Sequence, residues 1–74
     1  MDRKSIIRFT NIAVNLDQQL AGYRSLPQPP SFVYLNHKDW GWLSQQEMYP
    51  DLFVVSGLGD NTEIQYRGYM VEAR

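Results

Sequence analysis

The fold this sequence predicts is α+β: a small three-stranded mixed sheet covered by one long amphipathic helix, with a second, short helix. Three observations predict it. Ile6, Phe9, Ala13, Leu16, Leu20 and Tyr23 recur at intervals of 3, 4, 3, 4 and 3, the spacing that lines side chains along one stripe of a helix. Behind a proline-rich break, two short apolar runs, at 32–35 and 52–55, flank a segment carrying helix-opening signals. A cluster of turn residues then leads into an alternating stretch from Thr62 to Val71, the period of a strand with one buried face.

The stripe predicts a helix over residues 5–25, with Ser5 as N-cap and a flexible basic terminus over about 1–4. Arg8, not a carboxylate, stands three residues after Ser5, so no capping box closes that start. Ile6, Ile7, Phe9, Thr10, Ile12 and Val14 are β-branched or aromatic and lower helical propensity, so a short strand over residues 5–14 is the competing reading. Pro27, Pro29 and Pro30 each lack an amide hydrogen and push the preceding residue toward extended geometry. Residues 26–31 therefore read as a stiff connector, and a groove-binding proline ligand is the lesser alternative.

Phe32-Val33-Tyr34-Leu35 is short enough to be a buried strand, and Asn36 with Asp39 three residues on forms a variant capping box. The helix it opens directs Trp40, Leu43 and Met48 inward, is weakened by Gly41 and stops before Pro50. Leu52-Phe53-Val54-Val55 follows as a strand. If these two strands pair directly they run parallel, with a right-handed crossover. Gly57, Gly59, Asp60 and Asn61 make the turn of a hairpin into Thr62–Val71, with Ile64 and Tyr66 on one face. Gly68 breaks the alternation, and a bulge there restores the register of Tyr69 and Val71.

Seventy-four residues make a single domain spanning 1–74, of a size at which stabilities of about 4 to 7 kcal/mol are usual. Seven bases against eight acids give a formal net charge of −1, which argues against a surface wholly given to nucleic acid. The charge is unevenly placed: residues 1–26 carry a net +2, and residues 37–74 carry three bases against six acids. With no cysteine, there is no disulfide, thiolate nucleophile or sulfur-ligated zinc. No apolar run exceeds four residues and no signal core follows the start, so a soluble, cytoplasmic, unprocessed chain without membrane contact is the expectation.

Motifs for chemistry are sparse. His37 is the only histidine, so metal binding and a Ser-His-Asp arrangement through Ser31 or Ser44 both give way to a solvated side chain in the first turn of a helix. Gly57-Leu58-Gly59 opens like a dinucleotide fingerprint, but Thr62 stands at the third glycine position and no helix follows. Arg67-Gly68-Tyr69 resembles the first positions of the RNA-recognition motif's central strand, yet Val71 stands where a second stacking aromatic belongs. No enzyme activity and no cofactor are expected.

More telling are the aromatics Tyr23, Tyr34, Trp40, Trp42, Tyr49, Tyr66 and Tyr69. Trp40 and Trp42, two apart on a helix, point about 200° apart, so one of them is expected at the surface. Trp, Tyr and Arg are the residues over-represented in protein hot spots. Arg3, Lys4, Arg8, Trp42, Arg67 and Tyr69 are accordingly the candidate partner-binding residues.

This profile (short, acidic, free of cysteine, rich in Trp and Tyr) is similar to the small proteins that lytic phages make to seize host machinery. Among them it most resembles the RNA polymerase-binding transcription regulators of lytic Xanthomonas phages. Residues 33–40, Val33-Tyr34-Leu35-Asn36-His37-Lys38-Asp39-Trp40, also resemble a strand-to-helix element of phage capsid subunits. The first resemblance implies a monomer that binds host RNA polymerase and inhibits initiation or suppresses termination, without sequence-specific contact to nucleic acid. The second implies a phage structural or assembly protein acting by self-association. A single-stranded nucleic-acid binder, stacking bases on tyrosines, is the third class.

Overall fold

The computed structural model describes residues 2–74. Helix α1 runs Arg3–Tyr23, strand β1 Phe32–Leu35, helix α2 His37–Ser44, strand β2 Phe53–Ser56, strand β3 Glu63–Tyr66 and strand β4 Tyr69–Ala73, with a 3-10 turn at Gly59–Asn61 before β3. The architecture is α+β, with a four-stranded mixed sheet in the order β1-β4-β3-β2. β1 pairs with β4 in parallel, and the other two pairings are antiparallel.

Helix α1 begins two residues earlier than Ser5. The Asp2 carboxylate accepts the Ser5 amide at 2.7 Å, so Asp2 is the N-cap and Ser5 lies inside the first turn. Arg3 and Lys4 are therefore helical rather than part of a flexible terminus, and residue 1 lies outside the described residues. The competing strand over 5–14 gives way because tertiary packing overrides weak propensity: Phe9, Ile12 and Leu16 are buried along that stretch of helix. Ile6, which opened the expected stripe, is 51% exposed, and Ile12 takes a place in the core instead. Leu20, Ala13 and Tyr23 pack at its margin.

In α2 the capping box is reciprocal. Asn36 Oδ1 accepts the Asp39 amide at 2.8 Å, and Asn36 Nδ2 donates to Asp39 Oδ2 at 3.1 Å. Leu43 is buried, as its spacing requires, whereas Met48 lies beyond the helix and is exposed. Both tryptophans are half-buried, which the 200° argument did not anticipate. The indole N–H of Trp40 donates to the Val71 carbonyl of β4 at 3.0 Å, while Trp42 turns to α1 and meets Phe9 edge-on at 4.9 Å. The short helix has a neighbour on each side, so two opposed faces both find cover.

The sheet departs from expectation in three respects. It has a fourth strand, because residues 62–71 are not one bulged strand: the chain reverses after Tyr66, and Tyr66 lies opposite Tyr69. The two-residue turn is Arg67-Gly68, with φ of 50° and 86°, the left-handed pair that a type I′ hairpin needs. Parity is reset by that turn, so Ile64, Tyr66, Tyr69 and Val71 share one face without a bulge. Finally, β1 and β2 run in the same direction but do not pair, since β4 and β3 are inserted between them.

Val33 and Leu35 of β1, Val71 of β4, Ile64 and Tyr66 of β3 and Phe53 of β2 form the buried face, packed with Phe9, Ile12, Leu16 and Leu43 of the helices. The other face is open, and one row across it reads Phe32, Met70, Gln65, Val54 in register. The edge strand β1 is clasped by α1. Gln19 Nε2 donates to the Tyr34 carbonyl at 2.7 Å and Gln19 Oε1 accepts the Tyr34 amide at 2.8 Å, so one side-chain amide serves as the missing neighbour strand. One turn on, the Tyr23 hydroxyl donates to the Phe32 carbonyl at 2.7 Å.

Two stability measurements follow from this packing. Leu16→Ala, at a fully buried position, is expected to lower unfolding free energy by about 2 to 5 kcal/mol in urea denaturation. Gln19→Ala removes both bonds to Tyr34 and is expected to lower it by about 1 to 3 kcal/mol, with the exposed neighbour Gln18→Ala within about 0.5 kcal/mol of the parent.

Candidate functional site

The six partner-binding candidates divide into three places. Arg3 and Lys4 are exposed in the first turn of α1, directly after the Asp2 cap, where the helix macrodipole is unfavourable to positive charge. Arg8 and Trp42 are brought together. The Arg8 guanidinium lies 4.7 Å from the Trp42 ring centroid and bonds Asp39 Oδ1 at 3.2 Å. Both therefore tie α1 to α2 and are occupied within the fold, a half-buried ion pair with a stacked cation.

Arg67 and Tyr69 are brought together at the opposite end of α1, on either side of the Gly68 turn. A cleft of about 270 Å³ is lined there by Leu20, Tyr23, Arg24, Pro29, Arg67 and Tyr69. Tyr23 and Tyr69 stack with tilted rings 6.3 Å apart, and the Tyr23 hydroxyl is already fixed on Phe32. Arg24, exposed at the helix C-cap, enters no ion pair among the described residues. The stiff proline connector brings Pro29 to the same rim. Sequence reasoning found Arg67 and Tyr69 but missed Tyr23, Arg24 and Pro29, which join them only because the β3–β4 turn packs beside the end of α1.

A polar triad holds that turn in place. Arg67 Nε donates to Asp17 Oδ1 at 3.0 Å and to the Tyr66 hydroxyl oxygen at 3.3 Å, and the Tyr66 hydroxyl donates to the same Asp17 oxygen at 2.8 Å. The Arg67 guanidinium also lies 5.4 Å from the Tyr66 ring centroid. Burial, foremost, raises the Tyr66 phenol above its ordinary 10.0, and hydrogen bonding to Tyr66 and Asp17 raises Arg67 further. These bonds compensate the left-handed backbone of Arg67, a conformation that side chains other than glycine rarely adopt.

Tyr69 faces the helices rather than the open side of the sheet, since it shares parity with Val71, which is 3% exposed. It is not placed as the stacking aromatic of an RNA-recognition strand. The aromatics of the open face are Phe32 and Tyr34, and the Arg74 guanidinium lies 4.4 Å from the Tyr34 ring centroid. Gly57 at φ 86° and Gly59 at φ 58° serve the turn into β3, and a Cβ at Gly57 would collide with the Asn61 carbonyl. His37 is exposed in the first turn of α2. No group of three metal-ligating side chains occurs among the described residues, and no described helix is long and apolar enough to cross a membrane.

Comparison with protein-family models, curated proteins and solved structures finds no match to the chain.

The alkaline behaviour of Tyr66 has a definite sign. Its folded value is raised, so the stability it contributes is complete below pH 10.0 and is lost as pH rises beyond. Tyr66→Phe is expected to lower stability at neutral pH by about 1 to 2 kcal/mol, through the lost bond to Asp17. The same variant should lose less stability than the parent on going from about pH 8 to 11, read from urea midpoints.

Proposed function

We propose that this chain is a non-enzymatic binding module that docks on a larger protein complex through the cleft between the end of α1 and the β3–β4 turn. One observation carries the reading: Arg24 and Arg67 are gathered with Tyr23 and Tyr69 around one concavity, the composition in which binding energy concentrates at protein interfaces. Two guanidinium groups beside two phenol rings suit an acidic segment of the partner. Arg67 comes with its geometry set by Asp17 and Tyr66, and Arg24 supplies charge that no ion pair among the described residues engages. The resemblance to phage takeover proteins supplies the finer proposal, in which the partner is the RNA polymerase of a host cell and the outcome is inhibited initiation or suppressed termination.

Arg3 and Lys4 lie at the far end of the long helix and act on encounter by long-range attraction rather than by contact in the cleft. Arg8 and Trp42 support the site indirectly, by holding α2 against α1.

Surface plasmon resonance against purified host RNA polymerase tests this. Arg24→Glu is expected to slow association and flatten its salt dependence, and Tyr69→Ala to speed dissociation about tenfold or more, equivalent to about 1.4 kcal/mol. Thermal melting of each variant separates lost binding from lost folding. Absence of binding by the parent protein at about 10 μM, or full binding by both variants, contradicts the proposal.

A further inference from the structure

The two edges of the sheet are treated differently. β1 is clasped by Gln19 and Tyr23, whereas β2, Phe53-Val54-Val55-Ser56, carries none of the lysines, prolines or bulges that ordinarily guard an open edge. Its free backbone groups follow from the ladder. Arg67 N–H donates to the Leu52 carbonyl at 3.1 Å, and bonded pairs alternate along antiparallel strands. Val54 and Ser56 therefore bond across to β3 (Gln65 and Glu63 are their partners in register), while Phe53 and Val55 turn their backbone groups outward. The Phe53 N–H is already taken by the Pro50 carbonyl at 3.0 Å. What remains on the edge is the Phe53 carbonyl, both groups of Val55 and the N–H of Gly57, which donates to no carbonyl among the described residues.

That set is self-complementary. We propose that the β2 edge pairs antiparallel with β2 of a second copy of this chain, about a two-fold axis at Val55. Val55 of each copy exchanges both bonds with Val55 of the other, and each Phe53 carbonyl accepts the other's Gly57 N–H. A register centred one residue earlier needs the Phe53 N–H that Pro50 holds, and so forms fewer bonds. The pairing ends at Gly57, where a φ of 86° turns the chain, so Leu58 of one copy leaves the ladder near Leu52 of the other. Leu58 is 89% exposed, and Leu52 borders an apolar groove of about 370 Å³ between α1 and the start of β2, lined by Ile6, Ala13, Val14 and Phe53 as well. Knob and groove lie at opposite ends of the same edge, so a two-fold axis satisfies both at once.

Asp17 lines the groove and Asp51 precedes Leu52, so the backbone set and the Leu58 side chain, not charge, select a second copy. This departs from the monomer expected from the sequence, and it uses a face separate from the Arg24–Tyr69 cleft, so either proposal stands without the other.

Sedimentation of the full chain over a concentration series, with amide exchange by NMR, tests it. The expected result is a dimer of twice 8.7 kDa, with Val55 and Gly57 amides protected increasingly as concentration rises while the Tyr34 amide is protected throughout. Leu58→Asp, at an exposed position, is expected to keep the monomer's melting behaviour and weaken dimerisation tenfold or more. A monomer at about 500 μM overturns the proposal, as does a dimer indifferent to Leu58→Asp, an open polymer, or a Val55 amide protected only when another protein is added.

Discussion

Everything in this fold depends on the last strand of the chain being an inner strand of the sheet. β4 lies between β1 and β3, so residues 69–73 supply the parallel neighbour for the first strand and the antiparallel neighbour for the strand just before. Until that segment is in place, β1 has no partner in the sheet and the strand residues of the core belong to separate pieces. A hairpin forms β3 and β4 locally through the Arg67-Gly68 turn, but the β1–β4 pairing joins residues more than thirty-five positions apart, closing the kind of long loop whose entropy must be met before contact is gained. Val33 opposite Val71, both buried, is where that cost is offset by apolar burial.

The helices then finish what the strands leave undone. Gln19 satisfies both backbone groups of Tyr34, Tyr23 the Phe32 carbonyl, and Trp40 the Val71 carbonyl of β4, so these backbone groups find side-chain partners where ladder partners run out. No buried side-chain polar atom among the described residues lacks a hydrogen bond. The same strand order puts the β3–β4 turn beside the end of α1, gathering Arg67 and Tyr69 with Tyr23 and Arg24, and leaves β2 at the opposite edge. The two proposed binding surfaces are thus consequences of one topology.

The elements were largely legible in the sequence and their arrangement was not. Proline and asparagine punctuation located β1 to the residue and α2 by its Asn36–Asp39 box, because those signals act within a few residues. The α1 stripe differs from expectation in one member, Ile12 being buried and Ile6 exposed, since both choices satisfy helical spacing and only the neighbouring strands decide between them. The Arg67-Gly68 turn was hidden by chemistry: type I′ turns favour Asn-Gly, and an arginine at φ 50° depends on Asp17, fifty residues away. Arg67 and Tyr69 were recognisable as hot-spot residue types, but Arg24 and Pro29 carry no signal until the turn is placed beside them. Arg8 and Trp42 were recognised by type and turned out to be engaged with one another.

The central claim is the strand order, and the most direct measurement is scalar coupling through hydrogen bonds by NMR. Arg74 N–H donates to the Leu35 carbonyl at 2.8 Å, and Met70 N–H to the Ser31 carbonyl at 3.3 Å, at the two ends of the parallel pair. Detectable coupling between the Arg74 nitrogen and the Leu35 carbonyl carbon is the result this order predicts. Coupling between β1 and β2 instead, with none from β1 to the C-terminal strand, would contradict it, and with it the placement of both surfaces.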